Sequence, residues 1–375
     1  MKRGQLLAAC LLLAAALVAY VTRVHKNMRD FEVWWTAGGR AAAAEPLYRE
    51  ADGHYQFKYL PAFAALAIPV GLVPLPAAKP LWFGSSVVQL VTLIVLSLRL
   101  LPEQRKATAV LVTSAILAMG KFYFRELDLG QVNLIFAVAA TGALLALKAR
   151  RDVLAAALFV LTVAIKPYGV VLLPIVLVQR RKAPIVATAI GVALLLLLPI
   201  PLYGVAGTIG LHQSFLETIT GTTPPNLLTP DNVSVAAMYI KWFGIGEFSV
   251  MLATVTTVVL LGIVALVFFR RRSVPFPEGL EGSLLLLLIP LLSPQGWDYV
   301  LLMATPAIVY LANYSDRLPV PLRVATIVAA LTIGLSIWDI MGRAAYSAFM
   351  AAAVLSVCAL VLVAALTTLR LRAVA

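Results

Sequence analysis

Charge is scarce in this chain of 375 residues. Only 13% are Asp, Glu, Lys or Arg, about half of what a soluble domain carries. With 62% of residues in the hydrophobic set and a mean hydropathy of +0.95, that shortage excludes a water-soluble enzyme. Cysteine is nearly absent: Cys10 and Cys358 each sit in an apolar run, which excludes a disulfide scaffold and a cysteine metal site. The three histidines, His25, His54 and His212, are isolated, so no HExxH zinc motif exists. Neither a GxxxxGK[ST] loop nor a GxGxxG fingerprint occurs, which argues against nucleotide-driven transport by this chain alone. No internal repeat is visible, so the signature of many secondary transporters is missing.

What the chain does have is apolar length. Runs such as Ala183 to Leu202 and Phe248 to Phe269 reach the roughly 20 residues needed to cross a bilayer. The first run, Leu6 to Val21, follows Lys2 and Arg3. A cleaved signal peptide is one reading of it, but no A-x-A site follows and the later spans need an orienting first helix. Further spans are expected over 80–101, 107–122, 131–148, 152–165, 167–179, 183–202, 247–269, 279–293, 297–312, 319–338 and 347–369. The expected fold is an all-α polytopic membrane protein of about twelve transmembrane helices, with residues 1–375 forming a single domain. The pair 152–165 and 167–179, hinged at Lys166-Pro167, reads either as two short spans or as a re-entrant hairpin; both leave the termini on one side.

The net charge of +13 is a matter of topology. On these spans one face carries eighteen of the thirty basic residues and five of the seventeen acids, and the other face twelve of each. The short loops with Arg150-Arg151, Arg180-Arg181-Lys182 and Arg270-Arg271-Arg272 all fall on the first face, which the positive-inside rule makes cytoplasmic. Both termini are then cytoplasmic, and nucleic acid is not an expected partner. The two long connections, 23–79 and 203–246, fall outside. They hold Trp, Tyr, Pro and carboxylates, so the chemistry is expected on the extracytoplasmic face.

Five strings there can carry it. Asp30 opens an alanine-rich helix, where an acid also suits the first turn. Phe31, Trp34 and Trp35 are expected on its membrane-facing side, so that the helix lies at the interface and Asp30 just above it can serve as a general base. Tyr48 and the Tyr55-Gln-Phe-Lys-Tyr59-Leu-Pro61 string either anchor the chain or line a sugar pocket. Arg125 precedes Gly130-Gln131-Val-Asn133, whose amides Gln131 and Asn133 either cap a helix or hydrogen-bond a sugar or phosphate. Lys166, at a proline break in apolar sequence, needs a partner or water, because a central basic side chain costs about 2.5–3.5 kcal/mol. An anionic lipid phosphate suits it, and snorkelling to headgroups is the plainer reading. Ser293-Pro-Gln-Gly-Trp297-Asp298-Tyr299 forms an outer turn, with Arg343 a further outer cation. Asn226 to Ser234 is a candidate acceptor contact. The acidic pairs Asp30-Phe-Glu32 and Glu126-Leu-Asp128 leave a divalent metal open, and no resident cofactor is expected. The N-x-S strings at Asn232 and Asn313 fall on opposite faces.

Taken in order, the acid and small-residue helix of Asp30 to Tyr48, Tyr59-Leu-Pro61, Gly130-Gln131-x-Asn133, Lys166-Pro167 and Ser293-Pro294 with Trp297 resemble glycosyltransferase family 87. The resemblance implies a C-type membrane glycosyltransferase fold, a polyprenyl-phosphate sugar donor such as the mannosyl lipid of actinobacterial envelopes, and an outer-loop acid as base; Asp30 is the residue that matches. That family often carries a histidine shortly after the Ser-Pro…Trp string, where this chain has Asp298 and Tyr299. The expected function is transfer of a hexose, mannose first, from the lipid donor to a lipid or envelope-glycan acceptor at the bacterial cytoplasmic membrane. Asp30 is the base. Lys166, Arg125, Gln131, Asn133, Tyr59, Trp297, Asp298 and Arg343 are candidates for donor binding. A carrier or flippase of lipid-linked sugars would use the same cations without Asp30, and an envelope-glycan ligase or polymerase shares the design.

Overall fold

The computed structural model describes residues 17–179, 181–271 and 276–372. Most of the expected first span, Cys10, and the basic residues Lys2, Arg3, Arg180 and Arg272 lie outside the described residues. The chain is all-helical, with no strand among the described residues. In chain order the principal helices are α1 (Arg29–Ala42), α2 (Pro61–Gly71), α3 (Leu75–Leu100), α4 (Thr108–Leu129), α5 (Asn133–Lys148), α6 (Asp152–Ile165), α7 (Lys182–Leu197) and α8 (Ile200–Leu227). They continue with α9 (Val235–Phe243), α10 (Glu247–Phe269), α11 (Pro277–Leu292), α12 (Thr305–Asn313), α13 (Val320–Leu335), α14 (Arg343–Ala351) and α15 (Val354–Arg372). Each expected apolar segment after the first falls largely in helical chain, but 183–202 turns a corner between α7 and α8, and 347–369 is divided between α14 and α15. α3, α10 and α15 are each long and apolar enough to cross a bilayer alone.

The two long connections are more ordered than a loop. In the first, α1 and α2 pack side by side and run parallel, Trp34 against Phe63, Gly38 against Ala67 and Gly39 against Gly71. Asp30 and Glu32 stand in the first turn of α1, where carboxylates favour the positive end of the helix dipole. Gly38 lets the two helices approach, because a Cβ there would meet the Ala67 carbonyl oxygen at 2.5 Å. Leu60 to Pro76 is apolar and proline-broken, yet its first half is α2, with Pro61 at the N1 position that proline tolerates. In the second connection, α8 leaves α7 at 87°. Pro199 and Pro201 stand at that corner and remove two backbone donors.

The segment 152–179 folds as a hairpin. α6 ends at Lys166, whose extended backbone (φ −147°, ψ 132°) is what a following proline imposes. A 3-10 run, Pro167–Leu172, and a short helix, Leu173–Leu177, return beside it. Gly169 closes the reversal: a Cβ there would meet the Thr162 carbonyl carbon at 2.7 Å. Asp152 and Arg181, at the two open ends, form an ion pair.

Ion pairs sort the molecule into two faces. Arg23–Asp128, Arg40–Asp52, Arg49–Glu45, Lys79–Glu32 and Arg125–Asp231 join residues that the sequence partition puts outside. Arg105–Asp316, Arg181–Asp152, Arg271–Glu278, Arg271–Glu281 and Arg370–Glu281 join residues it puts inside. None of these ten pairs mixes the sets.

Candidate active site

The Gly130-Gln131-x-Asn133 string is the hub. Gly130 ends α4 with a left-handed backbone (φ 68°), and a Cβ on it would lie 2.6 Å from the Cβ of Phe31. Only glycine allows α1 to approach this closely. The Gly130 carbonyl accepts from the indoles of Trp34 (3.4 Å) and Trp82 (3.1 Å). Trp34 packs edge-on to Phe31 and Trp82, with ring centroids 4.8 and 4.6 Å apart. This corrects the expectation that Phe31 and Trp34 face lipid: both are buried inside the protein. Half-buried Trp35 donates to the Val73 carbonyl at 2.9 Å. Burying those rings fixes α1, and so the position of Asp30.

Asp30 turns away from its own helix end. Its Oδ2 accepts a 2.6 Å hydrogen bond from Gln131 Nε2, which also donates to the Tyr299 hydroxyl at 3.2 Å. Burial raises the Asp30 carboxyl above the usual aspartate range. The Gln131 bond and the charges of Lys166, His54 and Arg125 pull it down without cancelling that rise. The neighbouring Lys58 ammonium is lowered by burial, while the charge of Asp30 acts in the opposite sense.

Asn133 anchors the second half of the site. Its Nδ2 donates to Glu126 Oε2 (2.8 Å), and its Oδ1 accepts from Lys166 Nζ (2.8 Å) and from the Tyr168 hydroxyl (3.1 Å). Capping, the plainer reading of these amides, falls to another residue: Glu126 Oε1 accepts from the Leu134 backbone N–H at 2.9 Å. Lys166 is half-buried and lies 5.9 Å from the centroid of the Tyr59 ring and 5.7 Å from that of Tyr168. The bond to Asn133 uses one of the three N–H donors of the Lys166 ammonium. Tyr48 donates to the Tyr59 carbonyl at 2.7 Å and so fixes the Tyr59-Leu-Pro61 string.

The outer turn docks beside this hub. Asn226 to Ser234 zips onto Ser293 to Asp298, with Val233 N–H donating to Gly296 O (2.7 Å), Asp298 N–H to Asp231 O (2.9 Å) and Asn232 Nδ2 to Pro294 O (2.8 Å). The two strings therefore form one element. It brings Tyr299 to Gln131 and stacks Trp297 parallel to Tyr299, centroids 6.4 Å apart. Asp298 is buried, with its Oδ1 unpartnered.

Two candidates stand further off. Arg125 is exposed and pairs with Asp231 at 3.1 Å, reaching Asp30 only through its field. Arg343 is exposed above Trp338, 5.5 Å from the ring. The acidic pairs separate: Asp30 bonds Gln131 while Glu32 pairs with Lys79, and Glu126 bonds Asn133 while Asp128 accepts from Asn27. Among the described residues no three His, Cys, Asp or Glu side chains form a group able to hold a metal. Both N-x-S asparagines, Asn232 and Asn313, are buried. Sequence reasoning assigned no role of their own to Tyr168 or Tyr299, and named Glu126 and Asp231 only within longer strings, without these partners. The first two stand within two residues of singled-out positions, which was the available signal.

One family model matches the chain over residues 57–294, that of glycosyltransferase family 87. The match spans Tyr59, Arg125, Gln131, Asn133, Lys166 and Pro294, and begins downstream of Asp30. No curated protein and no solved structure matches the chain.

Proposed function

The chain belongs to glycosyltransferase family 87, and from that premise we propose that it moves a hexose, mannose first, from a polyprenyl-phosphate donor to a lipid or envelope-glycan acceptor, with inversion and with Asp30 as general base. The family is one of glycosyltransferases, which removes the carrier and flippase reading. The observation that carries the proposal is the joining of Asp30 and Lys166 through adjacent amides of one string, Gln131 and Asn133.

Gln131 engages Asp30 Oδ2 and leaves Oδ1 for the acceptor hydroxyl. As the acceptor oxygen bonds to the anomeric carbon, the carbon–oxygen bond to phosphate breaks, its electron pair leaves with the phosphate, and the hydroxyl proton passes to Asp30. Lys166, with two N–H donors beyond the one on Asn133, stabilises the leaving phosphate. The faces of Tyr59 and Trp297 serve the sugar. Arg125 and Arg343, at the rim, act on the approach of the anionic donor, and Asp298 on the turn that carries Tyr299.

A lipid-borne donor is supported by an apolar groove between α2, α6 and α7. It is lined by Leu66, Val160, Leu161, Ala164 and Leu194, and Ala164 stands two residues before Lys166. Such a donor brings its sugar to the membrane surface without a nucleotide-binding domain. The proposed architecture is a C-type fold of about twelve spans in a single domain, with α1 and α2 interfacial. It sits in the bacterial cytoplasmic membrane with both termini inside and the site outside.

The test is a transfer reaction with isotope-labelled polyprenyl-phosphate mannose and envelope lipid extract, read by mass spectrometry. Labelled hexose should appear on an acceptor with wild-type enzyme. Asp30→Asn should reduce it by about 10²–10⁴-fold, the usual contribution of a general base. Near-wild-type turnover by Asp30→Asn would remove Asp30 from that role.

A further inference from the structure

The end of the molecule away from Asp30 carries a cavity that sugar transfer does not use. α5 begins at Asn133, in the site, and ends at Lys148 after 16 residues, about 24 Å away at 1.5 Å per residue. There Lys148, Arg150, Gln179, Arg181, Phe276 and Glu278 line a cavity of about 380 Å³. That volume lies in the range of small-ligand sites, about 300–1,000 Å³.

The charges around it do not balance. Glu278 pairs with Arg271 and accepts from Gln179 at 2.8 Å. Arg181 pairs with Asp152. Glu281, buried behind the wall, is held by Arg271 at 3.2 Å and Arg370 at 3.1 Å. Asp152, Glu278 and Glu281 are thus engaged by other cations. Lys148 lies over the Phe276 ring, 4.3 Å from its centroid, and neither Lys148 nor Arg150 has an acid partner among the described residues.

The backbone is also unusual here. Among the described residues five non-glycines have positive φ, and two of them, Arg150 (58°) and Phe276 (53°), line this cavity. A left-handed non-glycine is unfavourable, and such outliers gather where structure holds a group in place for a ligand. Glycine would suit either position, yet a long side chain stands at each of these lining positions.

The surroundings distinguish a lipid from a free anion. Val153 and Leu154, beside Asp152, and Leu177, two residues before Gln179, are exposed at the ends of apolar helices. An acyl chain can lie against them while its headgroup reaches Lys148 and Arg150. We propose that this cavity binds the phosphate headgroup of an anionic phospholipid, which braces the turn between α5 and α6. The opposite ends of those helices present Asn133 and Lys166 to the site. Basic pockets between membrane helices are suited to such headgroups.

The experiment uses the full chain in mild detergent, titrated with phosphatidylglycerol or cardiolipin and followed by thermal unfolding and native mass spectrometry. A saturable rise in Tm and a retained adduct are expected, with no effect of phosphatidylcholine or of inorganic phosphate at equal concentration. Lys148→Gln with Arg150→Gln should weaken the apparent lipid affinity at least fivefold. A control of equal charge loss, Arg99→Gln with Arg372→Gln, should not. Arg150→Gly supplies a second variant, because glycine fits φ 58°: it should unfold no earlier than wild type without lipid, yet gain less from phosphatidylglycerol. Wild-type lipid response in both cavity variants, or saturation by inorganic phosphate alone, would overturn the proposal.

Discussion

Desolvation dominates the Asp30 carboxyl, and that has consequences at the scale of one residue. A base works only when ionised, so the acid limb of kcat/KM should fall at a pH above that of an exposed aspartate, about 3.9. Gln131 and Lys166 both favour the ionised form. Gln131→Leu and Lys166→Met should therefore each move the limb to higher pH, measured as pH–rate profiles. A limb left in place by Gln131→Leu would mean that its bond does not act on the carboxylate. The sign for stability is the reverse of the usual aspartate case. Folding raises this pKa, so ionised Asp30 costs stability above the folded pKa; the cost shrinks as pH falls below it and is gone below the unfolded value, about 3.9. At pH 7, Asp30→Asn should melt no lower than wild type, which separates lost catalysis from lost folding. Lys166→Ala should mainly weaken donor use, seen as a lower kcat/KM for the donor in a donor titration.

At the scale of elements, the site depends on two close approaches that glycine permits. Gly130→Ala would drive a Cβ to 2.6 Å from Phe31 Cβ, at a left-handed φ. A clash of this kind in a packed interior typically costs about 1–3 kcal/mol. It also shifts Gln131 away from Asp30, so Gly130→Ala should lower both the melting temperature in detergent and the rate. Gly38→Ala meets the Ala67 carbonyl at 2.5 Å and should lower stability by a similar amount while loosening the α1–α2 pair, visible as faster proteolysis of residues 43–60. Normal melting of Gly38→Ala would mean that the helix pair tolerates a wider spacing. Much of this scale was legible beforehand. Apolar length marked nearly every helix, and Lys166-Pro167 marked the hinge. The facing of Phe31 and Trp34 was not: an aromatic suits the membrane interface and the protein interior equally well, and the partner that decides, Trp82, stands 48 residues away from Trp34.

At the scale of the whole molecule, the ten ion pairs named above keep to two sets that do not mix. If the basic face is cytoplasmic, single cysteines placed at Ala51 and Arg151 in a chain lacking Cys10 and Cys358 should react with a membrane-impermeant maleimide from opposite sides. Ala51 should label in intact cells and Arg151 only after lysis. Labelling of both from one side would overturn the orientation, and with it the outer placement of Asp30.

Composition and the spacing of apolar runs determined that this chain is helical and suited to a membrane, because hydrophobic length and the positions of Lys and Arg are properties of the string itself. Local chemistry also singled out Asp30, Gln131, Asn133, Lys166 and Trp297 as unusual in their surroundings. Only the tertiary structure decided their partners: that Gln131 bonds Asp30, that Asn133 joins Lys166 to Glu126, and that Asn226 to Ser234 zips onto the turn at Trp297. Hydrogen bonds form between groups brought within about 3 Å, and the packing of α1 against Gly130 sets that distance across 101 residues of chain between Asp30 and Gln131.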